Sequence, residues 1–310
     1  MKIIHVDKNH PILIKLLSKF GYENFKYYNS TKIEIEKIIE NYDGIIIRSR
    51  FKIDKSFIKK AKRLKFIARV GSGKENIDVD YAKRNNIKIF TSPEGNSNAV
   101  GEHALGLLLS LINKIIPSNQ SVKQFKWLRE KYRGYELENK IIGIIGYGHT
   151  GKSFAKKLSG FNNIKVLFYD IKEIKTDEYA EKSSLEKIFK NADIISFHVD
   201  ENDLSIKMFN KSFIKKMKKP FWIINTSRGK VVSLEDLKWG IEKNIIFGAG
   251  LDVIELEDYS FEKVTFEKNK ILNFFLKSEK VIITPHIAGW TYESHHKLAK
   301  TIVDKISKYF

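Results

Sequence analysis

Cysteine is absent from the 310-residue chain. That excludes disulfide scaffolds, cysteine nucleophiles, iron–sulfur clusters and thiolate zinc sites. No apolar run approaches the ~18 residues needed to span a bilayer, so no membrane partner is expected. No secretory leader is expected either. Met1–Val6 opens an apolar run that Asp7 and Lys8 break at once, whereas a leader needs a longer apolar stretch and a small-residue cleavage site. There are no repeats and no low-complexity linker. These absences leave a soluble, cytoplasmic protein with no assigned metal site.

What is present is ample for a large core: 42% hydrophobic and 12% aromatic residues, with 30% charged. At ~150 residues per domain the length suggests two domains. Lysine and arginine number 56 against 37 acids, a net charge of +19. Dense basic residues neutralise phosphates, which raises a nucleic-acid reading. Here they are spread along the whole chain with no basic arm or helix, so no nucleic-acid partner is expected. A general pull on small anions fits better.

Short apolar runs alternate with amphipathic stretches. The pattern predicts strands at Lys2–Val6, Gly44–Ile47, Phe66–Arg69, Ile87–Phe90, Lys140–Ile145, Ile164–Asp170, Asp193–His198, Phe221–Asn225, Phe247–Leu251 and Val281–Thr284. Helical patterns lie between them, among them Pro11–Phe20 and Ser56–Arg63. Alternation of this kind argues for parallel sheets built from βαβ units. Strands apolar along their whole length fit sheets covered on both faces. A long apolar helix is expected over Asn98–Ile116, stopped by Pro117, and another over about Tyr292–Tyr309. Both would bridge two α/β units, the second returning to the first unit.

The strand Lys140–Ile145 runs into Gly146-Tyr-Gly148-His-Thr-Gly151 and then a helix. In such a turn the first glycine allows the bend, the second lets backbone amides approach a pyrophosphate, and the third permits close helix–strand packing. The helix N-terminus offers N–H groups and a favourable dipole to the phosphates. The next strand ends in Asp170, at about the ~20-residue spacing of a carboxylate that reads the ribose 2′-hydroxyl and repels a 2′-phosphate. NAD rather than NADP is the expected cofactor.

Three further strand ends carry polar groups: Arg228, the acids Asp252, Glu255 and Glu257, and His286. Carboxyl ends of strands form the ligand crevice of open α/β sheets. Arg, Glu and His beside a dinucleotide suit hydride chemistry on an α-hydroxy or α-keto acid. Arg228 can hold a carboxylate with its planar fork. His286 is the natural acid/base, and a glutamate on its ring would stabilise the protonated form. On spacing alone Glu255 competes with Glu257, and His198 competes with His286. The remaining histidines, His5, His10, His103, His149, His295 and His296, read as structural, exposed or incidental to the cofactor loop.

At these residues the chain resembles the D-isomer-specific 2-hydroxyacid dehydrogenases over nearly its whole length. The matching motifs are the Gly146–Gly151 turn, Ala192-Asp-Ile-Ile-Ser-Phe-His198, Ile224-Asn-Thr-Ser-Arg228-Gly, Ala249-Gly-Leu-Asp252-Val and Thr284-Pro-His286-Ile-Ala-Gly. The resemblance implies Arg228, Glu257 and His286 as the catalytic set, selecting Glu257 over Glu255. It also implies two Rossmann-like or flavodoxin-like parallel-sheet domains. A nucleotide domain of residues 98–288 would be inserted in a substrate domain of residues 1–97 plus 289–310. Implied cofactor contacts are Gly146, Gly148, His149, Thr150, Gly151, Asp170, His198, Val199, Thr226, Ser227, Asp252, Ala288, Gly289 and Ser72. Arg69, Gly71, Gly73 and Asn96 would border the substrate, and homodimerisation through the nucleotide domain is the family habit. The chain departs from the pattern at Lys74, Asp200 and Asp258 and in a long segment between Glu257 and His286, which bears on loop geometry more than on chemistry.

Arg48-Ser-Arg50 follows one strand and Arg69 ends the next. Three guanidinium groups near one mouth suit a phosphate, and Arg-Ser-Arg resembles the phosphoglycerate dehydrogenases. The expected substrate is therefore D-3-phosphoglycerate, oxidised to 3-phosphohydroxypyruvate in the first step of serine synthesis. The chain ends at Phe310, so the serine-binding ACT domain that many such enzymes carry is expected to be absent. Glyoxylate or hydroxypyruvate reduction is the alternative within the family, and NAD(H) sensing, as in the family's corepressors, the alternative of another class.

Overall fold

The computed structural model describes residues 1–257 and 269–310, so Asp258 and the first part of the long segment before His286 lie outside the described residues. The chain divides into two compact units. One comprises Met1–Ser97 and Trp290–Phe310; the other comprises Asn98–Glu257 and, on resumption of the described chain, residues 269–289.

The first unit is built on a five-stranded parallel sheet of β1 (Lys2–His5), β2 (Glu23–Lys26), β3 (Gly44–Ile47), β4 (Phe66–Arg69) and β5 (Lys88–Phe90), ordered β2-β1-β3-β4-β5. Period-two alternation sends neighbouring side chains to opposite faces. Ile45 and Ile47 join Phe57 and Ile67 in one core, while Ile46 joins Phe66, Ala68 and Ile302 in the other. Both faces are covered, which is why the strands read as continuous apolar runs. Ile302 belongs to the helix Tyr292–Tyr309, whose apolar face seals the second core.

The second unit carries seven parallel strands: β6 (Ile141–Ile145), β7 (Lys165–Tyr169), β8 (Glu181–Lys182), β9 (Ile194–Phe197), β10 (Phe221–Asn225), β11 (Ile246–Leu251) and β12 (Val281–Ile283). Their order is β12-β11-β10-β9-β6-β7-β8. The chain leaves β6 toward β7 and returns on its other side at β9, so the sheet order reverses at β6. That reversal opens the space beyond the strand ends where ligands bind in such sheets.

The long helix runs Pro93–Ile112, starting earlier and ending earlier than its apolar pattern suggests. Pro117 does not stop it. The break falls at Lys114, whose φ of 52° is left-handed, and a second helix, Ile115–Lys123, follows at a 61° bend. Pro117 sits in that second helix's first turn, where its missing N–H leaves no intrahelical bond unmade. Among the described residues no single helix is long and apolar enough to cross a membrane.

Candidate active site

The candidate residues follow the C-terminal ends of the strands of the second unit. After β6 the chain turns at Gly146, whose φ of 92° suits glycine, and a Cβ there would lie 2.6 Å from the carbonyl of His198. The turn thus packs directly against the end of β9. A Cβ on Gly151 would meet the Gly146 carbonyl at 2.2 Å, so the helix His149–Leu158 can start this close to the strand only with glycine there. That helix has Gly148 at its N-cap, no side-chain cap and no acid in its first turn. A helix start of this kind suits an anion through its dipole and leading N–H groups.

Asp170 stands beside this turn. Its Oδ2 accepts from the Tyr147 N–H at 2.7 Å and its Oδ1 from the Lys172 N–H at 2.8 Å. A carboxylate has about four acceptor sites, so capacity remains for ribose hydroxyls. Below the turn, buried Tyr147 stacks on Phe168 at 3.9 Å and donates to Asp177 at 2.8 Å. Thr226, past the end of β10, buries an Oγ1 that makes no hydrogen bond among the described residues. An uncapped helix start, a glycine cradle, a carboxylate beside it and an orphaned hydroxyl fit a dinucleotide.

Arg228 is held by its own turn. The fully buried Asn225 accepts from the Ser227 N–H at 3.1 Å and its hydroxyl at 2.7 Å, and donates to the Arg228 carbonyl at 3.0 Å. Arg228 Nη1 donates to the Ser227 carbonyl at 2.7 Å. Asn225 lies within the matching Ile224–Gly229 motif, which by itself gives no sign of this role.

His286 Nδ1 lies 2.7 Å from Glu257 Oε2, with both side chains largely buried. Glu257 Oε1 accepts from the Ile254 N–H at 2.5 Å, which fixes the carboxylate. The histidine has a φ of 55°. Such a conformation costs a bulky residue about 1–3 kcal/mol and persists only where the surroundings impose it. Here the His286 N–H donates to the carbonyls of Asp252 and Thr284, at 2.8 and 3.0 Å. Asp252 is 1% exposed. Burial pushes its carboxyl up, but His103, Thr284 and the N–H groups of Ala288 and Ile287 outweigh this and hold it below the usual range.

The residues that compete on spacing have different partners. Glu255 Oε1 accepts from the Leu234 N–H at 3.0 Å, at the start of the helix Leu234–Glu242, and takes no part at the histidine. His198 is buried, its Nε2 2.8 Å from Ser196 Oγ and its Nδ1 without a partner among the described residues. Burial lowers its pKa to about 3.

Several of the residues singled out from the sequence lie in the first unit. Arg69, buried, donates from Nε to the Arg48 carbonyl at 3.2 Å, and its guanidinium lies over Gly71, where a Cβ would be 2.3 Å from Nη1. The Arg48 guanidinium stacks on Trp290 at 4.2 Å. Arg50 Nη1 donates to the carbonyl of Val6 at 2.8 Å and to that of Tyr28, so it braces its own unit. Ser72 donates to Asn96 Oδ1 at 2.9 Å, and Gly73 is buried. In the second unit, His149 is exposed and Thr150 and Val199 half-buried about the glycine turn, while Ala288 is buried and Gly289 half-buried after His286. Of the departures, Lys74 and Asp200 are exposed.

Residues 105–288 match the family described as D-isomer specific 2-hydroxyacid dehydrogenase, NAD binding domain. A hydroxypyruvate reductase of Thermotoga maritima is 35% identical over 277 residues, 89% of this chain and 88% of the relative. A D-3-phosphoglycerate dehydrogenase of Archaeoglobus fulgidus is 31% identical over 309 residues, and the chain spans 56% of its length. Among solved structures, D-lactate dehydrogenase from Aquifex aeolicus, complexed with NAD and lactic acid, superposes with a TM-score of 0.83 at 26% identity, covering 100% of this chain and 95% of that one. The fold, the glycine turn and these similarities lead to one family: the chain belongs to the NAD-binding D-isomer-specific 2-hydroxyacid dehydrogenases.

Proposed function

We propose that the chain oxidises D-3-phosphoglycerate to 3-phosphohydroxypyruvate, the first step of serine synthesis, with Arg228, Glu257 and His286 acting on the substrate. The observation that carries the chemistry is the 2.7 Å bond between His286 Nδ1 and Glu257 Oε2. A carboxylate accepts only, so Nδ1 carries its proton there and proton exchange falls to Nε2. Arg228 binds the substrate carboxylate through its fork of donors and polarises C2. His286 removes the proton of the C2 hydroxyl as the C2 hydrogen departs as hydride, leaving a C2 carbonyl; in reduction it returns that proton. Glu257 stabilises the imidazolium formed in between. When bound, NAD would be held by Gly146–Gly151 and Asp170 and would supply the hydride acceptor. Thr226, Ser227, Val199, Asp252, His198 and Ser72 would complete its surroundings, with Gly71, Gly73 and Asn96 assigned to the substrate side.

For the phosphate, the reading rests on Arg48 and Arg69, adjacent through the Arg69 Nε bond to the Arg48 carbonyl. Arg50 instead donates to the carbonyls of Val6 and Tyr28 within its own unit. That commitment also favours a second reading, reduction of an unphosphorylated acid such as hydroxypyruvate, the substrate named for the Thermotoga relative. The test is NADH oxidation by purified protein with 3-phosphohydroxypyruvate beside hydroxypyruvate, glyoxylate and pyruvate. A strong preference for the phosphorylated acid supports the first reading, and equal or better rates without phosphate replace it by the second. Silence on all four with NADH still bound would favour a sensing protein.

We further propose a homodimer formed through the second unit. Ile115, Val122, Phe125, Trp127 and Leu128 leave apolar surface exposed close together in sequence, with Phe125 100% and Trp127 78% exposed. Exposed apolar clusters of this kind mark interaction surfaces. Sedimentation should give twice the monomer mass, and Trp127→Arg should yield monomers; a monomeric wild type overturns the proposal.

A further inference from the structure

His103 lies on the helix Pro93–Ile112, far in sequence from what it touches. Its Nε2 is 2.9 Å from Thr284 Oγ1 and 3.4 Å from Asp252 Oδ1. Thr284 Oγ1 is itself 2.6 Å from Asp252 Oδ1. A threonine hydroxyl has one proton to give, and an ionised carboxylate only accepts. The proton of Thr284 therefore goes to Asp252, and the hydroxyl's lone pair takes the Nε2–H of His103. The chain of donors has one direction, from His103 through Thr284 to Asp252.

Asp252 uses what that chain steadies. Its Oδ1 also accepts from the Ile287 N–H at 2.9 Å and its Oδ2 from the Ala288 N–H at 2.8 Å. Its carbonyl accepts from the His286 N–H at 2.8 Å. One residue thus ties down residues 286, 287 and 288, and the first of them is held in the left-handed region. A buried carboxylate keeps such a position only while its partners satisfy it.

We propose that His103 is a positioning residue for the dehydrogenase reaction, acting through Thr284 and Asp252 to hold the turn that presents His286. The inference rests on the reading of His286 as the acid/base, and the experiment separates the two. His103→Leu, His103→Gln, Thr284→Val and His286→Asn are compared with wild type for kcat and KM on the best 2-oxo acid, for NADH affinity by fluorescence, and for Tm. His103→Leu should lower kcat roughly ten- to a hundred-fold, the scale of a catalytic group displaced by up to an ångström. NADH affinity and Tm should hardly move. His103→Gln, whose side-chain amide N–H can reach the same hydroxyl, should recover most of the loss. Thr284→Val should reproduce the defect, and the double variant should be no worse than either single, because both cut one chain. Thr284→Val also serves if His103→Leu does not fold.

A kcat for both His103→Leu and Thr284→Val within about twofold of wild type would overturn the inference. Equal losses in His103→Leu and His103→Gln, matched by falls in Tm, would make His103 a packing residue and overturn it as well. Wild-type turnover in His286→Asn would instead remove the acid/base reading, and the inference with it.

Discussion

Glu255 and Glu257 are separated by one residue and serve different ends. Glu255 takes the Leu234 N–H at the start of a helix, whereas Glu257 holds the ring of His286. Glu255→Gln should therefore leave turnover near wild type and cost about 0.5–1 kcal/mol of stability, through a weakened helix start. Glu257→Gln should lower kcat with little change in Tm, since the amide cannot stabilise the imidazolium as the carboxylate does. Steady-state kinetics beside thermal unfolding separates them; a larger kcat loss in Glu255→Gln would exchange the assignments.

His286→Ala should reduce turnover by roughly 10²–10⁴-fold, the usual worth of a positioned acid/base, while NADH still binds. His198→Asn should affect stability instead, because its imidazole is buried against Ser196 and Phe154 and stays neutral. Near-normal turnover in His286→Ala would transfer the acid/base role elsewhere.

Much of this was legible in the sequence because buried strands and glycine turns leave local signatures. Gly44–Ile47, Phe66–Arg69 and Phe221–Asn225 appear with the boundaries their apolar runs suggest. The strands that escaped, Glu23–Lys26 and Glu181–Lys182, are short and polar because they lie at sheet edges and are only partly buried. Glu255 and Glu257 could not be ranked by spacing, since what distinguishes them is a helix start some twenty residues away. His103 gave no signal because its partner is distant in sequence and met only in the fold. Arg48, Arg50 and Arg69 look alike on paper, yet an aromatic face and two carbonyls give the first two different work.

That difference is measurable. Arg50→Ala should lower Tm, because the carbonyls of Val6 and Tyr28 lose their donor, and should leave the ratio of rates on phosphorylated and unphosphorylated acids unchanged. Arg48→Ala should lower that ratio with a smaller effect on Tm. The same ratio in both variants and wild type would remove the phosphate reading.

Asp170→Ala should relax the preference for NAD over NADP, because the carboxylate that repels a 2′-phosphate is gone. It should also cost some stability, since the Tyr147 and Lys172 N–H groups lose their acceptor. The check is kcat/KM for both cofactors; an unaltered ratio would mean that another residue reads the ribose.

Acid should weaken the fold through two buried histidines. His5 is buried with its Nε2 2.7 Å from Asn24 Oδ1, and burial is the main cause lowering its pKa from 6.5 to about 4. Burial takes His198 to about 3. In the unfolded chain both protonate near pH 6.5, whereas in the folded protein they stay neutral. As pH falls below 6.5 the unfolded state therefore binds more protons, and linkage makes stability fall. The contribution is complete above pH 6.5 and is lost on the way down to about 4 for His5 and about 3 for His198. Thermal unfolding between pH 7.5 and 5 should show Tm declining through this window, and His5→Gln should flatten the decline even if it lowers Tm at pH 7.5. An equally steep decline in His5→Gln would place the acid sensitivity in other groups.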